Sequence, residues 1–183
     1  RAGAAPPDGY GAELAPPLGA GHAAVLDPVR RRLIVIAGYD GSFRGDVWTL
    51  SLDGAPVWTC LAVDGPRPVM RMEHTAIYDP VGDRVLVFGG QSAIPYQDVW
   101  LDDVWELSLA GVPTWTLLEP DGGRPGPRTV HSAIYDSARR RMVVFGGFGI
   151  PPGGSGTEYQ DTWALELEGP PTWNELPTTS SMA

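Results

Sequence analysis

The chain of 183 residues has no lysine: all thirteen basic side chains are arginine, set against twenty-two acidic ones, for a net charge of −9. The missing lysine reads as a genomic composition bias. The acidic balance argues against nucleic acid or an anionic membrane surface as partner, since both need a basic field. Cys60 is the only cysteine, which rules out an intrachain disulfide and any multi-cysteine metal centre. It stands in the run WTCL, which reads as strand, so a buried structural thiol is expected. No apolar run approaches the length of a membrane span, so no membrane insertion is expected, and the start shows no basic-then-apolar leader. A first residue of Arg1 rather than Met is what a processed product or an excised piece would show, and a secreted or periplasmic compartment is expected over a cytoplasmic one. No GxSxG elbow, Walker loop, HExxH or paired zinc motif is present. No catalytic residue, cofactor or metal ligand is therefore expected.

What is present is repetition. His22, His74 and His131 each open a copy of one pattern, and fifteen residues later each copy reaches a small pair: Ala37 and Gly38, Gly89 and Gly90, Gly146 and Gly147. A second block, WxLxLxGxPxW, runs without a gap from Trp48 to Trp58, Trp105 to Trp115 and Trp163 to Trp173. The His-to-His periods are 52 and 57 residues, and the difference lies between the small pair and the closing block. A period near 50 points to a propeller or solenoid rather than one globular core.

Each copy divides into four short strands. Strand A is HxAxYD (HAAVLD in the first copy), with alternating side chains, and strand B is a continuous apolar run, LIVIAG, VLVFGG or MVVFGG. A continuous run needs cover on both faces, which implies sheets stacked face to face. An Arg recurs five residues after the Asp of strand A: Asp27 and Arg32, Asp79 and Arg84, Asp136 and Arg141. Strand C (DVWTLSL, DVWELSL, DTWALEL) and strand D (VWTCL, TWTLL, TWNEL) are joined by a Gly- and Pro-containing turn. The expected fold is all-β: three four-stranded antiparallel sheets, spanning 22–67, 74–120 and 131–177. A Pro/Gly/Ala-rich lead-in (1–21) precedes them and a short tail (178–183) follows.

The double glycine after an apolar strand, with an aromatic in the third strand and a Trp in the fourth at near-fixed spacing, resembles the kelch repeat. That resemblance implies one β-propeller blade per copy, with strand A nearest the axis and strand D outermost. Propellers close with about four to eight blades, and three are too few. If each terminal face presents roughly 500 Å² of apolar surface, an open arc forgoes on the order of 25 kcal/mol of burial. That exceeds the roughly 5–15 kcal/mol net stability of a domain. The expected partners are thus further blades from the same gene, or a second copy in a homodimer that closes six blades.

In a meander the B-to-C loops and the D-to-A linkers share one face of the propeller. This face carries the variable segments, where recognition concentrates on a rigid scaffold. Tyr39, Phe43, Tyr96, Trp100, Phe148 and Tyr159 are its candidate ligand-binding aromatics, with Arg71 and Arg128, alongside Arg67 and Arg124, for acidic or carbonyl groups. Trp100 stands out because it lies outside the repeated block. A protein segment or a glycan is the expected ligand of a non-catalytic binding module. Two alternatives are a fragment of a sugar-active or oxidase-type kelch enzyme and a purely architectural, self-assembling repeat. The oxidase type uses a Tyr crosslinked to a Cys, and Cys60 falls in the outer strand, which puts that activity in doubt. The three histidines recur once per blade and are expected to be structural. Arg71 and Arg128, each three residues before its histidine, have the same structural role as their alternative, with Gly19 breaking the pattern in the first copy. Asp46, Asp103 and Asp161, each two residues before a Trp, are expected to cap loop amides.

Overall fold

The computed structural model describes residues 15–16, 19–93, 97–151 and 153–177. Tyr96, most of the lead-in and the 178–183 tail lie outside them. The described residues contain no helix. Blade 1 is the meander Ala23–Asp27, Arg32–Tyr39, Phe43–Ser51 and Trp58–Cys60. Blade 2 is Thr75–Asp79, Arg84–Phe88, Val104–Ser108 and Thr114–Leu118. Blade 3 is Ser132–Asp136, Arg141–Phe145, Thr162–Glu166 and Thr172–Glu175. The strand A registers are equivalent: Asp27 opposes Arg32, Asp79 opposes Arg84 and Asp136 opposes Arg141. In all three the arginine Nε donates to that aspartate at 2.9–3.0 Å, so each A-to-B turn is closed by its own ion pair.

The A strands of neighbouring blades contact one another, which places strand A on the inside of the arc. Backbone bonds tie the inner ends together: Glu73 N–H donates to Gly21 C=O (2.6 Å) and Val130 N–H to Glu73 C=O (3.1 Å). Two apolar cores fill the junctions. Between blades 1 and 2, Val25, Ile34 and Ile36 meet Val85, Val87 and Trp115. Between blades 2 and 3, Ile77, Leu86 and Phe88 meet Met142, Val144 and Trp173. Strand B therefore supplies both faces, as its unbroken apolar run predicts.

The linkers hold a feature that strand periodicity does not reveal. Asp121–Gly122, between blades 2 and 3, runs parallel to the outer strand of blade 3, pairing with Thr172 and Trp173. Asp64 does the same against Thr114 of blade 2. The glycines after these aspartates have φ +84 and +87, and a Cβ on Gly65 would lie 2.5 Å from the Trp115 carbonyl oxygen. Only glycine lets the linker pass that close. The outer strands of blades 2 and 3 are thereby covered by the preceding linker, which shields a sheet edge.

Among the described residues only blade 2 is packed on both faces. Ile77 and Phe88 are 5% and 0% exposed, whereas their blade 3 equivalents Ile134 and Phe145 are 62% and 54% exposed. On the other end, the outward face of blade 1 is a depression of about 290 Å³ whose lining includes His22, Leu33, Val35 and Trp58.

Candidate interaction face

The small pair after strand B determines how the loop face is assembled. Gly90 and Gly147 have φ near +100, and a Cβ on either would lie 2.7 Å from the carbonyl oxygen of Met72 or Thr129. The linker can therefore bridge to the residue just past the pair: Ala20 to Tyr39, Met72 to Gln91 and Thr129 to Phe148. Beyond those bridges the blades differ. In blade 1 strands B and C run on past a register shift between Ile36 and Gly38 until Tyr39 opposes Phe43. In blade 2 a small hairpin, Gln91–Ala93 with Asp98–Trp100, rises from the rim. In blade 3 its counterpart is Phe148–Gly149 with Thr157–Glu158.

Arg71 and Arg128, expected to face a ligand, lie beneath this face and are 1% and 0% exposed. Each guanidinium makes a bidentate pair with an aspartate, Arg71 with Asp103 at 2.7 and 2.8 Å and Arg128 with Asp161 at 2.7 and 2.9 Å. Each also donates to the carbonyl of the first glycine of the pair, Gly89 (2.9 Å) or Gly146 (3.0 Å), and through Nε to its own linker. A planar fork with its donors satisfied is a structural strut and has little left for a ligand. The aspartates also differ from the expected amide caps. Asp46, Asp103 and Asp161 accept from the indole N–H two residues on, at 2.6, 2.7 and 2.8 Å, and from arginine, rather than from loop amides alone. In blade 1 the linker position holds Gly19, and Arg44 of strand C pairs with Asp46 instead (3.1 Å). Burial pushes the Asp103 and Asp161 carboxyls up, but the arginine and indole donors outweigh it and hold both below the usual carboxylate range.

The aromatics fall into separate groups. Tyr39 is exposed and packs edge-on to Phe43 with centroids 5.4 Å apart. Trp100 of blade 2 and Phe148 of blade 3 form an edge-on pair across the junction, centroids 6.3 Å apart. Tyr159 lies over the Arg128 guanidinium at 4.1 Å and its N–H donates to Gly147 C=O (2.8 Å). Leu101 ties the Trp100 hairpin down, donating to Gly90 C=O (2.9 Å) and accepting from Arg128 N–H (3.0 Å). Arg124 is exposed beside Asp102 (3.7 Å), and Arg67 donates to Val63 C=O (3.0 Å). The face thus presents paired rings on a floor of neutralised arginines.

The histidines lie at the inner ends of the A strands. His131 Nε2 and Thr75 Oγ1 share a 2.7 Å hydrogen bond across the junction of blades 3 and 2. His74 has no such partner among the described residues, because Ala23 stands where Thr75 would be. Burial first, then the nearby Arg71 or Arg128 charge, lowers both His74 and His131 to about 3, so both rings are neutral. Among the described residues no group of three or more His, Cys, Asp or Glu side chains is placed to hold a metal ion.

Residues 21–183 match the model of the KLHDC2/KLHL20/DRC7 Kelch-repeats domain. The chain belongs to the kelch-repeat family. It is similar to dynein regulatory complex subunit 7 of Chlamydomonas reinhardtii, 32% identical over 130 residues, 68% of this chain and 10% of that protein. It is also similar to an F-box/kelch-repeat protein of Arabidopsis thaliana, 32% identical over 155 residues, 78% of this chain and 30% of that protein. The chain thus spans less than a third of the length of these kelch relatives. Among solved structures, that of YjhT aligns with a TM-score of 0.60 at 17% identity, over 87% of this chain and 46% of that one, a likeness of fold alone. Within the kelch pattern the sequence signal for the buried struts was available: an Arg three residues before His74 and His131, and an Asp two before each block Trp. Their pairing spans 32 and 33 residues and emerges only when the sheet closes.

Proposed function

We propose that this chain is a non-catalytic binding module that holds a protein segment across the B-to-C loop face, with a glycan as the other ligand class that paired rings accommodate. The observation that carries this reading is the Trp100–Phe148 pair. Two hairpins from different blades bring large, half-buried rings together, where rigid amphipathic side chains contribute most to affinity at low entropic cost. Tyr39 with Phe43, and Tyr159 above Arg128, extend the same chemistry. The relatives are consistent with it, since one is by name a subunit of a larger complex.

The test is selection of a displayed peptide library on the whole chain, with a glycan array in parallel. The ligand recovered should weaken at least tenfold on Trp100→Ala or Phe148→Ala and be unchanged by Val112→Ala, an exposed side chain in the C-to-D turn. A glycan that behaves this way fixes the ligand class as sugar. Ligands indifferent to both loop substitutions overturn the proposed face.

A further inference from the structure

The two blade junctions are built from corresponding residues, but their corners on the loop face differ. At the junction of blades 1 and 2, Val47, Leu61, Val63 and Trp115 pack into one core, and Arg67 donates back to the Val63 carbonyl (3.0 Å). At the junction of blades 2 and 3 the same four places hold Val104, Leu118, Pro120 and Trp173. Val104, Leu118 and Trp173 join the core, whereas Pro120 stays partly exposed where Val63 is buried. These four residues line a recess of about 160 Å³. Arg124, in the place of Arg67, also lines it, with its side chain 57% exposed. The corners differ in charge as well: the recess is lined by Asp102 and Glu119, where the first junction has Gly45 and Ala62.

The carboxylates at this corner are not equally committed. Asp103 is spent on the Arg71 fork and the Trp105 indole. Asp102 meets Arg124 at 3.7 Å, with the two side chains 36% and 57% exposed, and an ion pair that long and that wet is worth little. Among the described residues Glu119 forms no ion pair. The recess therefore combines apolar walls with two carboxylates set against one loosely held guanidinium. A long alkyl stem ending in a cation matches that combination, because the stem covers apolar surface while the head stays at the charged rim. Arg124 already sets its own guanidinium beside Asp102, as an internal stand-in for such a head. A net charge of −9 also favours encounter with a basic partner.

We infer that this recess receives an arginine or lysine side chain from the protein segment held across the loop face, an inference that rests on the loop-face reading for the segment itself. The cationic head replaces Arg124 beside Asp102 and Glu119, and the stem lies against Leu118 and Pro120. Asp102 follows Trp100 by two residues, at most about 7 Å of extended chain. A segment lying over the Trp100–Phe148 rings thus brings a neighbouring side chain within reach of the recess.

Amide NMR spectra of the whole chain test it, titrated at low salt with N-acetyl-arginine methylamide and with its citrulline analogue, the neutral isostere. The arginine compound should shift the amides of Asp102, Leu118, Glu119 and Arg124 and bind at least about tenfold more tightly than the citrulline one. The double variant Asp102→Asn/Glu119→Gln should abolish that preference, and Arg124→Ala, which removes the internal competitor, should tighten arginine binding about two- to fivefold. The unshifted remainder of each spectrum reports that the variant keeps its fold. Equal binding of the two compounds, no shift at these amides, or a double variant that behaves as the parent overturns the inference. Peptides selected on the whole chain separate it from the loop-face reading. Those that weaken on Trp100→Ala and Phe148→Ala yet carry no arginine or lysine overturn the recess and leave the face standing. An arginine compound that binds at these amides, beside selected peptides indifferent to both rings, supports the recess and overturns the face.

Discussion

Phe88→Ala and Phe145→Ala delete the same ring from the same place in successive blades, and the account predicts very different costs. Phe88 is fully enclosed, against His131 on one side and Trp173 on the other. Removing a buried phenylalanine costs about 3–5 kcal/mol, the lost transfer energy plus the cavity left behind. Phe145 keeps half its surface in water, with no further blade packed on it among the described residues. No closed cavity forms there, and losing a half-exposed ring costs about 1 kcal/mol. The difference, about 2–4 kcal/mol, is at least about a thirtyfold change in the folding equilibrium. Urea denaturation followed by tryptophan fluorescence measures it. With a slope of about 2 kcal/mol/M, the Phe88→Ala midpoint should fall about 1–2 M below that of Phe145→Ala, with slopes unchanged. Equal large costs would mean that Phe145 is enclosed in solution and the bare end is not bare. Equal small costs would mean that the junction of blades 2 and 3 is not packed as described.

Further outcomes are expected on the same assay. Arg71→Met strands Asp103 in a largely buried site and should cost about 3–5 kcal/mol, most of it recovered in the Arg71→Met/Asp103→Leu double variant. Thr75→Ala leaves His131 without its cross-blade partner and should cost about 1–2 kcal/mol, whereas Ser132→Ala, at the uncovered equivalent, should cost almost nothing. Gly65→Ala forces a left-handed residue toward the Trp115 carbonyl and should cost about 2 kcal/mol or more. Stability should also depend on pH through the histidines. His74 and His131 stay neutral down to about 3 in the fold, while unfolded imidazole takes a proton near 6.5, so the unfolded chain binds more protons below 6.5. The stability they contribute is full above pH 6.5 and is lost as pH falls toward 3, about 2–3 kcal/mol for the pair between pH 7.5 and 5.5. Replacing His74 with Phe should remove about half of that slope. A pH-independent urea midpoint over this range would show that the two rings are not buried.

The twelve blade strands were legible because strands A and C alternate with a period of two, strand B is a short apolar run closed by small residues, and three registered copies repeat the whole pattern. The turn pairs Asp27–Arg32, Asp79–Arg84 and Asp136–Arg141 were visible for the same reason, being local. What was hidden depends on closure. An arginine in a loop reads equally well as a ligand contact or as a strut, and nothing near Arg71 or Arg128 in sequence names Asp103 or Asp161 as its partner. The substitution of Arg44 for the missing linker arginine at Gly19 is likewise a compensation in space, across a strand turn. The parallel run of Asp121–Gly122 on the outer strand of blade 3 is too short to have a period at all. Trp100 stands out in the sequence because it lies outside the repeated block, but its meeting with Phe148 depends on how two hairpins of unequal length lean toward each other. Tyr96 falls outside the described residues.

The central claim is that, among the described residues, blade 2 alone is sandwiched between two blades, while the blades on either side of it each keep one face uncovered. Amide hydrogen exchange on the whole chain, resolved to individual strands, tests it most directly, because protection tracks how much packing must be lost before an amide opens. The account predicts that strand B of blade 2, Arg84–Phe88, exchanges at least tenfold more slowly than Arg141–Phe145 of blade 3. Equal protection of the two strands would contradict it.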